Sequence, residues 1–97
     1  MGVAIEPSSF EKWKYKYVRF ADGKVLFCDG CTTAVSHANL KDEHPEAPPV
    51  SAGSIRLKGK LWWIEDAGSM TLKLPAFQSD WKYIDRELKR YHFKMGE

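Results

Sequence analysis

The chain has 97 residues, one domain's worth of sequence, which excludes a large multi-domain enzyme. Hydrophobic residues make up 43%, and four Trp, four Tyr and five Phe supply enough buriable area for one compact core, so disorder is not expected. Lys plus Arg number 15 and Asp plus Glu 13, leaving a net charge of +2, far from the concentrated basic excess of a dedicated nucleic-acid binder.

No uncharged stretch approaches the ~20 apolar residues of a membrane helix. The opening Met1-Gly2-Val3-Ala4-Ile5-Glu6 has neither the basic start nor the apolar run of a secretory signal, and Glu6 stands where a myristoylation motif wants Ser or Thr. The expectation is a single cytoplasmic, monomeric domain over residues 1–97, with residues 1–11 as a flexible lead-in.

Over residues 12–20, Trp13, Tyr15 and Tyr17 fall on one side of a period-two pattern and Lys14, Lys16, Val18 and Phe20 on the other, which predicts a strand. Ala21-Asp22-Gly23 follows, and Asp-Gly between two β-rich runs signals a hairpin with positive φ at both turn positions. Its second arm, residues 24–28, is apolar on both faces, as in a strand inside a sheet covered on two sides. Ser36 can cap a short helix starting near His37, which Pro45, Pro48 and Pro49 stop, leaving residues 44–51 as loop.

Ser54-Ile55-Arg56-Leu57-Lys58 alternates cleanly, Gly59 turns the chain, and Leu61-Trp62-Trp63-Ile64 again suggests two covered faces. After a loop at residues 65–68, Met70, Leu72 and Leu74 alternate with Thr71 and Lys73, predicting a further strand that Pro75 ends. Ser79 or Asp80 can cap a last helix, whose Trp81, Ile84, Leu88 and Tyr91 form one stripe. Lys89, Arg90, His92 and Lys94 lie at its C-terminal end, where the helix dipole favours cations. The order ββαβββα predicts an α+β domain of two or three layers, with two helices on a mostly antiparallel or mixed sheet of about five strands.

Four groups of residues could carry chemistry. Cys28-Asp29-Gly30-Cys31 with His37 and His44 offers four zinc ligands of suitable type, but six residues separate the two histidines and Pro45 follows the second. Two half-buried structural thiols are the simpler reading. If Ser36 caps the helix, His37 takes its first position, where free N–H groups favour a phosphate and disfavour imidazolium, which would keep the ring neutral and nucleophilic. Gly68-Ser69-Met70-Thr71 could present amide and hydroxyl donors to phosphate oxygens. Finally, Tyr15, Tyr17, Trp62 and Trp63 with Lys14, Lys16, Arg56 and Lys58 could make an aromatic, basic sheet face for single-stranded nucleic acid, although strand aromatics are more often core.

Taken in order, Tyr15-Lys16-Tyr17-Val18 opening a strand, Ser36-His37-Ala38-Asn39-Leu40 starting a helix, Gly53-Ser54-Ile55 starting another strand, Ser69-Met70 after residues 61–68, and a terminal helix resemble the Janus or phosphohistidine phosphatase family. The resemblance covers residues 15–92. It implies His37 as the catalytic residue, Lys16 as the phosphate-facing lysine, and Ser69, Met70 and Thr71 as the loop that holds phosphate. His37 would attack phosphorus or activate water while Lys16 and the loop amides stabilise the equatorial oxygens, with no metal or other cofactor. The partner would be a phosphorylated protein or a small phosphorylated ligand, with neither membrane nor nucleic acid involved. The alternatives are a non-catalytic phosphate- or protein-binding module of the same fold, or a small zinc-stabilised domain. The chain departs from the family where Ser36 replaces a Tyr, Asn39 an Asp and Ser54 an Arg, and its two cysteines have no counterpart.

Overall fold

A computed structural model of the chain describes residues 3–90. Among these the order is β1 (Lys14–Phe20), β2 (Val25–Asp29), α1 (His37–Asp42), β3 (Pro49–Lys58), β4 (Leu61–Glu65) and α2 (Trp81–Lys89). The α+β class is as expected, but the antiparallel sheet has four strands, ordered β2-β1-β3-β4, and not five. Tyr15, Tyr17, Val25, Phe27, Ile55, Trp62 and Ile64 pack with Ile84 and Leu88 of α2 on one face. Val18, Phe20, Cys28 and Ala52 pack with Leu40 of α1 on the other, giving three layers.

The missing strand is the stretch at residues 70–74. It folds as a reversal in which Ser69 N–H donates to Leu74 O (2.9 Å) and Leu74 N–H to Ser69 O (3.1 Å). Turning the chain between this bridged pair puts Lys73 at a φ of 56°, in the left-handed region. Leu72 and Leu74 still pack beside Leu40 and Ala52, so their alternation reflects burial rather than a strand.

Other local expectations change for identifiable reasons. The hairpin after β1 uses three residues, not a two-residue Asp-Gly turn: Gly23 N–H donates to Phe20 O (2.9 Å) and Gly23 alone in the loop takes a positive φ, of 89°. Strand β3 begins at Pro49, inside the stretch read as loop. A proline at the first strand position gives up no necessary ladder bond. Both strands expected to be covered on two faces, β2 and β4, lie at the sheet edges, and β2 is covered on both, with Val25 and Phe27 toward α2 and Cys28 toward α1. On β4, Trp62 and Ile64 are buried, whereas Leu61 is 37% exposed, so only one face is fully covered.

Beyond Ser54, where β4 stops pairing, the chain returning from the reversal takes its place, and Ala52 N–H donates to Pro75 O (3.1 Å). Residues 3–10 lie against the sheet: Ile5 N–H reaches Phe27 O (2.7 Å), and Phe10 stacks on Tyr15 with ring centroids 3.8 Å apart. In α2 the inward residues are Ile84 and Leu88, each contributing about 1.5–3 kcal/mol by burial, with Trp81 partly buried beside them. Tyr91, His92 and Lys94 fall outside the described residues. Asp80 does not cap α2 with its side chain but turns inward and is completely buried.

Candidate anion site around His37

The site begins at the start of α1. Asn39 Oδ1 accepts from Ser36 N–H (3.0 Å) and from Ser36 Oγ (2.8 Å), so Asn39, standing where the resembled family has an acid, fixes the helix start. This aims His37 at the sheet, where it is 8% exposed and its Nε2 lies 2.6 Å from Gly53 O. A carbonyl only accepts, so Nε2 carries the hydrogen and the lone pair resides on Nδ1. Burial pulls the pKa of His37 below its ordinary value. The hydrogen bond to Gly53 opposes that shift, and the charge of Lys16 adds to it.

Lys16 projects from β1 onto the same face. Its Nζ donates to Val35 O and to Thr32 O (3.2 Å), tying down the segment that leads into α1. Two of the three ammonium donors are thereby used. His37 and Lys16 thus both lie on the α1 side of the sheet, within range for the lysine charge to act on the ring. With six residues, α1 is too short to add much dipole, and the Lys16 charge acts on the imidazole as well.

The residues 69–71 lie in the reversal whose Leu72 and Leu74 pack on this same face. Ser69 is buried, but its N–H is given to Leu74 O and its Oγ accepts Leu72 N–H (3.1 Å). Those bonds stay within the reversal and none reaches His37 or Lys16. Met70 is 92% exposed and Thr71 is exposed as well.

The four zinc candidates are not gathered. Cys28 is buried in the α1-side core, where burial pushes its thiol up to about 11, while Cys31 is exposed. The Asp29-Gly30 step between them is a side-chain turn, with Asp29 Oδ1 accepting Cys31 N–H (2.7 Å). His44 lies edge-on to Phe20, with Nε2 2.8 Å from Asp22 Oδ2 and Nδ1 3.3 Å from Glu46 Oε2. Among the described residues no three His, Cys, Asp or Glu side chains converge as a cation site. The aromatic and basic face also divides: Tyr15, Tyr17 and Trp62 are buried on the α2 side, whereas Lys14, Lys16, Arg56 and Trp63 belong to the other face.

Comparison with known families, curated proteins and solved structures finds no match. Nor is any helix among the described residues long and apolar enough to cross a membrane.

Two elements of this neighbourhood were not legible as functional. Gly53, whose carbonyl orients His37, acts through its backbone and leaves no mark on the sequence. Asp80 reads as a helix cap, yet it accepts from Tyr17 OH (2.6 Å) and Ser51 Oγ (2.8 Å) on the opposite side of the sheet.

The depressed pKa of His37 has a pH consequence. The unfolded chain takes up a proton at the ordinary histidine value of 6.5, while the folded chain resists until lower pH. Stability from this group is complete above 6.5 and is lost as pH falls through the lower folded value. Denaturation midpoints measured from pH 7.5 down to 5 should decline, and a His37→Gln variant should flatten that decline. An unchanged slope in the variant assigns the decline elsewhere.

Proposed function

We propose that this chain is a small phosphate-recognising domain in which His37 is the reactive group, with hydrolysis of a phosphohistidine-like bond as its activity. One observation carries the reading: the Nε2 bond to Gly53 O fixes the tautomer and leaves a lone pair on Nδ1 of a ring that burial, and to a lesser degree the charge of Lys16, keeps neutral. Such an imidazole can attack phosphorus or take a proton from water, and the neighbouring cation favours an anionic ligand.

Inorganic phosphate titrated into the folded protein should shift the His37 ring signals and the amides of residues 68–71. A His37→Ala variant should lose about 10²–10⁴-fold in hydrolysis of a phosphoramidate. Unmoved signals remove the phosphate site, and unchanged turnover removes His37 as its catalyst.

A second reading, a phosphate- or protein-binding module without turnover, draws support from the reversal at residues 69–74. The Ser69 amide and hydroxyl oxygen are engaged within that segment, so part of what a phosphate-holding loop would offer is already spent. Phosphate-dependent shifts without phosphoramidate hydrolysis would select it.

A further inference from the structure

The two sheet edges are treated differently. The outer side of β2 receives Ile5, whose N–H donates to Phe27 O (2.7 Å). Strand β4 has no such cover among the described residues. Because Gly59 and Lys60 form a two-residue turn, Lys58 and Leu61 are the closing hydrogen-bonded pair. Along an antiparallel ladder Leu61, Trp63 and Glu65 then bond toward β3, while Trp62 and Ile64 direct their N–H and C=O groups outward. The bond from Leu57 N–H to Trp13 O (2.7 Å), on the far side of β3, agrees with this phase.

An open edge of this kind is a template for another strand, and proteins usually blunt it with a proline, a bulge or an inward charge. β4 reads Leu-Trp-Trp-Ile-Glu, pairs with β3 without a register shift, and has none of these in its centre. Its charges are at the ends instead: Lys60 before it, Glu65 as its last residue and Asp66 after.

That arrangement is its own antiparallel complement. With a two-fold axis at Trp63, Trp62 meets Ile64 of the partner subunit and Ile64 meets Trp62 of the partner subunit. Both are pairs of outward-facing residues, so four main-chain hydrogen bonds form. In the same register Lys60 lies opposite Asp66 of the partner subunit, twice by symmetry, and opposite charges facing across strands are stabilising. Both side chains are exposed, and Asp66 uses Oδ1 for Gln78 Nε2 (2.8 Å). On the sheet face above, Trp63, whose neighbour on β3 is Arg56, comes against Trp63 of the partner subunit, and Leu61 lies beside the aliphatic stem of Glu65 of the partner subunit.

We propose that the chain forms a symmetric dimer through β4, joining two four-stranded sheets into one antiparallel sheet of eight strands. This differs from the monomer expected from sequence and is independent of the phosphate reading. A second copy is the occupant because the base at Lys60 and the acid at Asp66 make the stretch 60–66 complementary to its own reverse, with isologous symmetry as the common closed form.

Sedimentation equilibrium of the full chain, from low micromolar to millimolar concentration, tests the proposal. The expected result is a monomer–dimer equilibrium that Lys60→Asp weakens by about tenfold or more, since it sets two acids face to face at both ends of the interface. Combining Lys60→Asp with Asp66→Lys should restore the original association. Both positions are exposed, so an unchanged far-UV spectrum is expected to show the fold intact. In parallel, hydrogen exchange of the Trp62 and Ile64 amides should slow as concentration rises. A monomer at all concentrations overturns the proposal and leaves the edge to a foreign strand. A dimer indifferent to both substitutions overturns it too, by placing the interface elsewhere.

Discussion

Asp80→Ala should remove about 3–5 kcal/mol of folding free energy, the cost of leaving a partly buried cation and several buried donors uncompensated. The carboxylate has no solvent exposure. It accepts from Tyr17 OH (2.6 Å), Ser51 Oγ (2.8 Å) and Phe77 N–H (3.1 Å), and Arg19 Nη1 stands 3.6 Å from Oδ1. Arg19 in turn lies over the Tyr83 ring, 3.9 Å from its centroid, so β1, β3 and both ends of the turn into α2 meet at one side chain.

A domain of this size holds only about 5–15 kcal/mol in total, so the loss is a large fraction of it and the variant's denaturation midpoint should fall well below the parent's. Tyr17→Phe, which deletes a single donor, should cost less, about 1–3 kcal/mol. Urea denaturation of both variants checks the order. An Asp80→Ala loss within about 0.5 kcal/mol of zero would match an ordinary surface substitution and remove the network from the account of stability.

Gly53→Ala should cost about 1–3 kcal/mol by overpacking, and Ala76→Gly should recover part of it. A Cβ at Gly53 would sit 2.7 Å from the Ala76 Cβ and 3.2 Å from Tyr17 Cε2. The first contact disappears when Ala76 loses its methyl, whereas the second persists because Tyr17 is pinned by Asp80. The double-mutant cycle should therefore show favourable coupling without full restoration. Additive losses would mean that Ala76 is not what excludes a side chain there. Since the Gly53 carbonyl accepts from His37 Nε2, a shift of the His37 ring signals in Gly53→Ala would show that strain on the α2 side of β3 reaches the imidazole on the α1 side.

How far the sequence could be read depended on how local the determining physics was. Tyr15 and Tyr17 against Val18 and Phe20 announced a two-faced strand because alternation is a property of the strand itself, and both faces are indeed buried. Ser36 marked the start of α1 because capping involves only neighbours, here Asn39. Met70, Leu72 and Leu74 misled because a tight reversal can bury alternate leucines as a strand does, and what decides between them is a pairing partner that no local pattern reveals. Asp80 misled for a similar reason: a good capping residue in front of an amphipathic run is still free to turn inward when Tyr17 and Ser51, remote in sequence, offer donors. At the candidate site, His37 and Lys16 were found as separate residues, and both prove to lie on the α1 side of the sheet, where the lysine charge acts on the ring. The Gly53 carbonyl depends on tertiary approach and could not have been found, whereas the bonding of Ser69 is local but belongs to a reversal that the alternating leucines disguised as a strand.

The position of β1 also governs the order in which the chain can complete itself. It is an inner strand, yet it is synthesised before β3, one of its two neighbours in the sheet. The β2 side can close at once through the adjoining hairpin, but the β3 side requires Lys14 to meet Arg56 and Tyr15 to meet Ile55, so it must wait until the middle of the chain has emerged. During that interval the nascent hairpin exposes apolar side chains on both faces and a full row of unpaired backbone groups, the state in which a chain is most open to intermolecular association. Folding during translation is therefore gated by the arrival of β3, and a slow codon cluster placed just before its coding region would lengthen that vulnerable window.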